Sequence, residues 1–285
     1  MVTDLFKILE KNVHADAYTW VSNTYHTMCN KFTTKDLYIT FGMAYKYVPN
    51  EVIDKNTITD EAQLSHFKDI NLTSLQLSRI IILLSIPVTD LDLYKKTLYT
   101  LIENATHDEL QAIFTAYPLL PHTDDIEPKF AQYISTNMTD VFERMALYNP
   151  YPAKYLNQNS FNQMVIKTLF VDKNINHIIG LQSRITKELS HLAIDYAAER
   201  SAAGRLVRPE MWQLCICADK DLLINTIHKL HTSKYKYENE ASILLLQNAI
   251  NNNIINTKEI NMTYSQNNCA KDWNELALKY PFSIW

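Results

Sequence analysis

The chain has 285 residues, a formal charge of −4, and three glycines, Gly42, Gly180 and Gly204, where average usage would supply roughly 20. No two of them lie close together, so no GxGxxG, Walker or GxSxG loop can be written, which argues against a Rossmann domain, a P-loop NTPase or a TIM barrel. The acidic balance, with basic residues scattered rather than clustered, argues against a nucleic-acid partner.

Apolar residues recurring at three and four predict helices through most of the chain, the first five over 4–12, 15–31, 35–47, 60–68 and 74–85. A stripe of Leu91, Tyr94, Leu98, Leu101 and Ile102 follows, with Thr89 as its predicted N-cap. Thr106 with Glu109 fits a capping box, opening a helix that carries Leu110, Ile113 and Phe114 and stops at Pro118. One helix is predicted to carry Phe130, Ile134, Met138, Val141, Phe142 and Met145 and to end before Asn149-Pro150. Phe161, Met164, Val165, Thr168 and Leu169 stripe the next. The longest predicted helix runs from near Thr186 to Gly204, a C′ glycine; Pro209 then takes the N1 position of another, with Glu210 on its dipole. The last helices are predicted over 219–231, 238–250 and 270–279, with the polar segment 251–268 expected as a mobile loop. The expected fold class is therefore all-α: one domain over 1–285, built of stacked antiparallel helical hairpins. Either an irregular α-solenoid or a helical bundle fits, HEAT- or TPR-like without a regular repeat.

Met1 to Lys11 holds no long apolar core of a signal peptide, and the apolar run Ile80 to Val88 is far short of the roughly 20 residues of a bilayer span. A cytoplasmic protein without a transmembrane segment is expected. Cys29, Cys215, Cys217 and Cys269 form neither a CxxC pair nor a disulfide framework, and are expected to be buried reduced thiols.

Few residues suggest chemistry. Glu188 and His191 form one Glu-x-x-His pair, half of a di-iron motif whose second copy is missing. His228 and His231 share a helix face, with no third zinc ligand at a recognisable spacing. Lys234 and Lys236, interleaved with Tyr235 and Tyr237, read as a solvated helix end. No metal, no cofactor and no catalytic residue is assigned. Asp124, Asp125 and Glu127 form an acidic cluster after Pro121. In an all-α protein such carboxylates suit Mg²⁺ on a prenyl diphosphate, although the order Asp-Asp-Ile-Glu departs from DDxxD and equally serves the dipole of the helix after Pro128.

Residues 142–212 stand apart. They hold three prolines, Pro150, Pro152 and Pro209, and two of the three glycines. Asn162 and Gln163 sit within one turn of Lys167, and Arg200, Arg205 and Arg208 crowd one helix junction with Glu199 and Glu210. Arginine forks suit carboxylates and phosphates, while Ala202 and Ala203 permit close helix approach. The junction reads either as an ion-pair network locking two helices around Gly204 or as an anion-binding site.

This segment resembles the EboA family. Asn149 to Tyr155, Asn162 to Val165 with Lys167, Ile179 to Leu181, Tyr196-Ala197, Glu199-Arg200, Ala202 to Arg205, and Pro209-Glu210 with Trp212 stand where that family carries its recurring text. Phe161 and Ser201 stand where tryptophan is usual and Ala198 where histidine is usual, so no histidine-based activity carries over. Outside 142–212 the similarity is only helical, and the tail after about 215 is poorly covered. The resemblance implies an accessory protein of a cluster that also encodes a membrane prenyltransferase, metal-dependent hydrolases and isomerase-like proteins. Such clusters are associated with making or exporting a secondary metabolite or a lipid-linked precursor. It implies as partners the other cluster-encoded proteins, a peripheral membrane-protein contact, or a prenylated small molecule.

On this reading the protein has no covalent chemistry of its own. It binds a partner or a prenylated, phosphate-bearing intermediate at Tyr151, Asn162, Gln163, Lys167, Glu199, Arg200, Arg205 and Trp212. The arginines would take the anionic head and the aromatics the apolar body. Two alternatives stand beside it: an all-α enzyme acting on prenyl diphosphate-type substrates with Mg²⁺, and a purely structural scaffold with no enclosed pocket.

Overall fold

The computed structural model describes residues 1–59, 64–256, 259–260 and 269–281. In chain order its α-helices are α1 (Val2–Asn12), α2 (Ala15–Asn30), α3 (Thr34–Met43), α4 (Ser74–Leu83), α5 (Leu91–Asn104), α6 (His107–Ala116), α7 (Glu127–Tyr133), α8 (Thr139–Ala146) and α9 (Tyr151–Tyr155). There follow α10 (Gln158–Phe170), α11 (Lys187–Ala202), α12 (Lys220–His231), α13 (Lys236–Asn251) and α14 (Trp273–Lys279). Short 3₁₀ turns join several of them, and one 3₁₀ stretch, Pro209–Cys217, is long. Among the described residues no strand forms beyond an isolated bridge between Val52 and Thr73. The protein is all-α.

The contacts divide it into two compact units, residues 1–160 and 161–285. In the first, α4 is buried along its whole length and packs against α1, α2, α3 and α6. A helix buried on every face must satisfy its polar side chains internally, and Ser78 Oγ does so by donating to Ser74 O at 2.8 Å. Its one buried cation, Arg79, lies 3.4 Å from Glu109, whose other oxygen accepts from the Thr106 N–H at 2.8 Å and closes the expected capping box. Phe114, Tyr117, Phe130 and Tyr151 form an aromatic cluster with centroids 4.7 to 5.5 Å apart. Asn149 pins the cluster from below: its amide donates to Phe114 O and Arg144 O, and its Oδ1 accepts from Tyr151 N.

In the second unit the 3₁₀ stretch 209–217 is the centre, covered by α11, α12, α13 and α14. Gln213 donates to Glu210 O at 2.7 Å, an i to i−3 link that reinforces the tight winding. The proline start was legible, but the winding is 3₁₀ rather than α. The C-terminal α14 is held by Glu240 of α13, which accepts from Lys279, Tyr280 and the Ala270 N–H.

Several boundaries differ from expectation. The single helix predicted through Phe130 to Met145 is two, because Thr136 N–H closes a turn on Tyr133 O and Thr136 Oγ1 accepts from Met138 N–H. A hydroxyl that offers the backbone a local partner competes with the helix ladder, and Met138 is exposed rather than on a core stripe. The N-cap of α5 is Asp90, accepting from Leu93 N–H, and not Thr89. The helix predicted over 35–47 ends at Met43 and finishes as a 3₁₀ turn. Of the helix predicted over 60–68, residues 60–63 lie outside the described residues and 65–69 are a 3₁₀ turn. Of the segment 251–268, residues 257, 258 and 261–268 lie outside the described residues.

Candidate functional site

The long helix α11 ends as its sequence demands. Gly204 takes φ 69°, the Arg205 N–H bonds Arg200 O at 2.9 Å, and the Gly204 N–H bonds Ser201 O at 3.0 Å. This is a Schellman closure, which satisfies the last carbonyls without help from solvent. The residue after the glycine usually brings an apolar contact to the helix end. Here it is Arg205, so its side chain is available for something other than closing the helix.

The three arginines of this junction have different fates. Arg200 Nε donates to Leu206 O at 2.8 Å, and its guanidinium sits 5.8 Å from the Tyr196 ring. Arg208 Nε donates to Glu210 Oε1 at 2.5 Å, and its Nη1 reaches Asp172 O at 3.0 Å. Glu210 is fully buried, so this pair belongs to the core. Arg205 is exposed, makes no ion pair among the described residues, and lines a cavity of about 410 Å³.

That cavity lies within the second unit, between the Gly204 turn and the connection from α12 to α13. Its cations are Arg205, Lys229 and Lys234, and its aromatic wall is Trp212, Tyr235 and Tyr237. The Tyr235 and Tyr237 rings stack with centroids 5.6 Å apart, and Lys234 Nζ lies 5.0 Å from the Tyr235 centroid. Burial pushes the Tyr237 hydroxyl well above its usual range, with the Glu238 charge adding to the effect. The Glu238 carboxylate accepts from Ser233 Oγ. Ser201, one of the departures from the EboA text, is also on the wall, where a small side chain leaves room.

The expected site residues are only partly gathered here. Arg205 and Trp212 line the cavity. Arg200 supports the turn from behind, through Leu206. Glu199 is an exposed residue of α11, and Gln163 an exposed residue of α10. Asn162 is buried in α10, and Lys167 of the same helix is half-buried, with its ammonium pKa lowered by desolvation. None of these four lines the cavity. Tyr151 is in the core of the first unit, its hydroxyl donating to Thr123 O at 2.6 Å. Lys229, Lys234, Tyr235 and Tyr237 are cavity residues that sequence reasoning passed over. The alternation of lysine and tyrosine at 234–237 was the one signal, and it read as a solvated helix end.

The remaining clusters are accounted for by local contacts. Asp124 and Asp125 are exposed on their turn, and Glu127 accepts from the Asn157 amide at 3.1 Å. His191 lies 3.1 Å from Asp219, which Lys187 also pairs at 2.6 Å. Among the described residues no group of three or more His, Cys, Asp or Glu is placed to hold a metal ion. Of the cysteines only Cys215 is buried, and desolvation pushes its thiol up to about 12; Cys29 and Cys217 are exposed and Cys269 is half-buried. The expectation that all four are buried is corrected. Among the described residues no helix is long and apolar enough to cross a membrane.

A family model described as metabolite traffic protein EboA matches residues 1–216. The match extends well beyond 142–212, through the whole first unit, and ends inside the 3₁₀ stretch. No curated protein and no solved structure matches the chain.

Proposed function

The chain belongs to the EboA family, and on that premise we propose that it is a non-catalytic accessory protein of metabolite traffic. It binds an anion-headed, partly apolar metabolite, of the prenylated or lipid-precursor kind, for biosynthesis or transport with other proteins of its cluster. The observation that carries this reading is the cavity beside Gly204. Three cations without ion-pair partners among the described residues face an aromatic wall. Convergent polar groups on an apolar lining are what a ligand pocket needs. Asp124 and Asp125 are exposed on their turn and Glu127 is held by the Asn157 amide, an arrangement that serves the helix after Pro128 without Mg²⁺.

Calorimetric titration of the full chain with farnesyl diphosphate tests the proposal. Heat of binding is expected, and Arg205→Ala weakens it by about tenfold, the loss of one charge-assisted hydrogen bond. Its thermal unfolding stays unchanged. No heat from the unmodified chain, or a collapsed melting temperature in Arg205→Ala, overturns the assignment. Native mass spectrometry of protein from its own host then identifies the retained molecule.

A further inference from the structure

We infer that residues 229–238, which lie beyond the family match, set the charge of the ligand: the cavity selects a dianionic head group, a phosphate ester or diphosphate, over a singly charged carboxylate. This rests on the cavity being the binding site. Arg205, Lys229 and Lys234 are three cations, and Glu238 is the one carboxylate on the wall. Two positive charges are left uncompensated. None of the three cations makes an ion pair among the described residues. Among the described residues the Lys234 ammonium lies against the face of Tyr235, and the Glu238 carboxylate is already an acceptor for Ser233. A monoanion entering here leaves a second positive charge unmatched, whereas a dianion matches both.

The helix ends around the cavity favour the same sign. Helix α13 has 16 residues and starts at the wall, and its N-cap, Tyr235, supplies no side-chain cap. A helix N-terminus favours negative charge, of which Glu238 in the first turn supplies part. The C-termini of α11 and α12 also border the cavity, but their last carbonyls are used: Gly204 and Arg205 close α11, and the Thr232 N–H bonds His228 O. Arg205 lies inside the family match; Lys229 and Lys234 lie outside it. The matched part therefore supplies the anchor and the tail supplies the charge preference. Lys229 also sits on the last turn of α12, where a cation complements the dipole, so the test must separate the two roles.

The experiment titrates the full chain at about pH 8 with 1-naphthyl phosphate, a dianion there because its second pKa is about 6, and with 1-naphthoate, a monoanion. Arg205→Ala and the double variant Lys229→Gln, Lys234→Gln are run beside the unmodified protein, with a melting curve for each. The unmodified chain is expected to prefer the phosphate by about tenfold. The double variant reduces that preference to about twofold or less, with its melting temperature unchanged. Equal affinity for the two probes, with both dependent on Arg205, overturns the charge selection and leaves the site standing. Failure of both probes to bind, or binding indifferent to Arg205→Ala, overturns the site itself. A double variant that melts earlier yet keeps the preference shows that the lysines serve only the helix ends, and the inference falls.

Discussion

At the scale of single residues, three arginines within nine positions carry three different physical burdens. Arg200 holds a carbonyl of the turn, Arg208 neutralises a fully buried glutamate, and Arg205 has neither duty. Removing one partner of a buried pair strands the other charge, so Arg208→Ala is expected to cost about 3–5 kcal/mol. Arg205→Ala, at an exposed position, is expected to stay within about 0.5 kcal/mol. Denaturant midpoints of the two variants check this. If Arg205→Ala proves as costly as Arg208→Ala, the junction is a single structural network and the cavity loses its anchor. Tyr151 and Asn149, prominent in the sequence for their proline-flanked motif, serve packing: one completes an aromatic cluster and the other satisfies three backbone groups.

At the scale of elements, caps and terminal contacts decide where helices stop and how they dock. A Cβ at Gly204 would meet nothing within 4 Å, so the demand there is purely conformational, from φ 69°. Gly204→Ala is therefore expected to cost about 1 kcal/mol, with Gly204→Asn costing less because asparagine tolerates this region. Equal stability of all three proteins would show that the turn is not the stop signal. Helix α14 gives a pH test. Burial alone would push the Glu240 carboxyl up, but hydrogen bonds from Lys279, Tyr280 and the Ala270 N–H outweigh it and hold the carboxyl below its usual range. A carboxyl depressed in the folded state contributes stability that is complete above its unfolded pKa of about 4.3 and is lost as pH falls through the lower folded value. Glu240→Gln is accordingly expected to lower the melting temperature at neutral pH. The difference from the unmodified chain should shrink as the pH is taken below about 4. A gap that is constant with pH would mean that the contact works by shape rather than charge.

At the scale of the whole molecule, a chain with net charge −4 places a local positive cavity in its second unit. The elements after the family match are part of that unit's core, since α13 and α14 cover the buried 3₁₀ stretch that carries Met211, Trp212 and Leu214. A chain ending after Ala218 would expose that apolar surface. It is expected to bind 8-anilinonaphthalene-1-sulfonate strongly and to lose the cooperative unfolding of residues 161–218. A truncated protein that unfolds sharply and stays dark in that dye would show that the tail is an appendage.

The sequence by itself determined what depends on neighbours a few positions away. Helical periodicity, the Thr106 and Glu109 box, the stop at Gly204 and the proline start at 209 are interactions within about five residues, and each is readable as spacing. The scarcity of glycine likewise excludes glycine-rich phosphate-binding loops from composition alone. The break between α7 and α8 escaped because a threonine hydroxyl outbid a continuous apolar stripe. Only the tertiary structure decided which arginine makes no ion pair among the described residues and which side chains share one cavity with it. The three guanidinium groups are chemically identical in the sequence, and what separates them is burial and the position of Glu210, Asp172 and Leu206. The cavity joins residues 197–212 to 229–238 across the folded unit. Packing fixes that juxtaposition, and no local pattern of side chains encodes it.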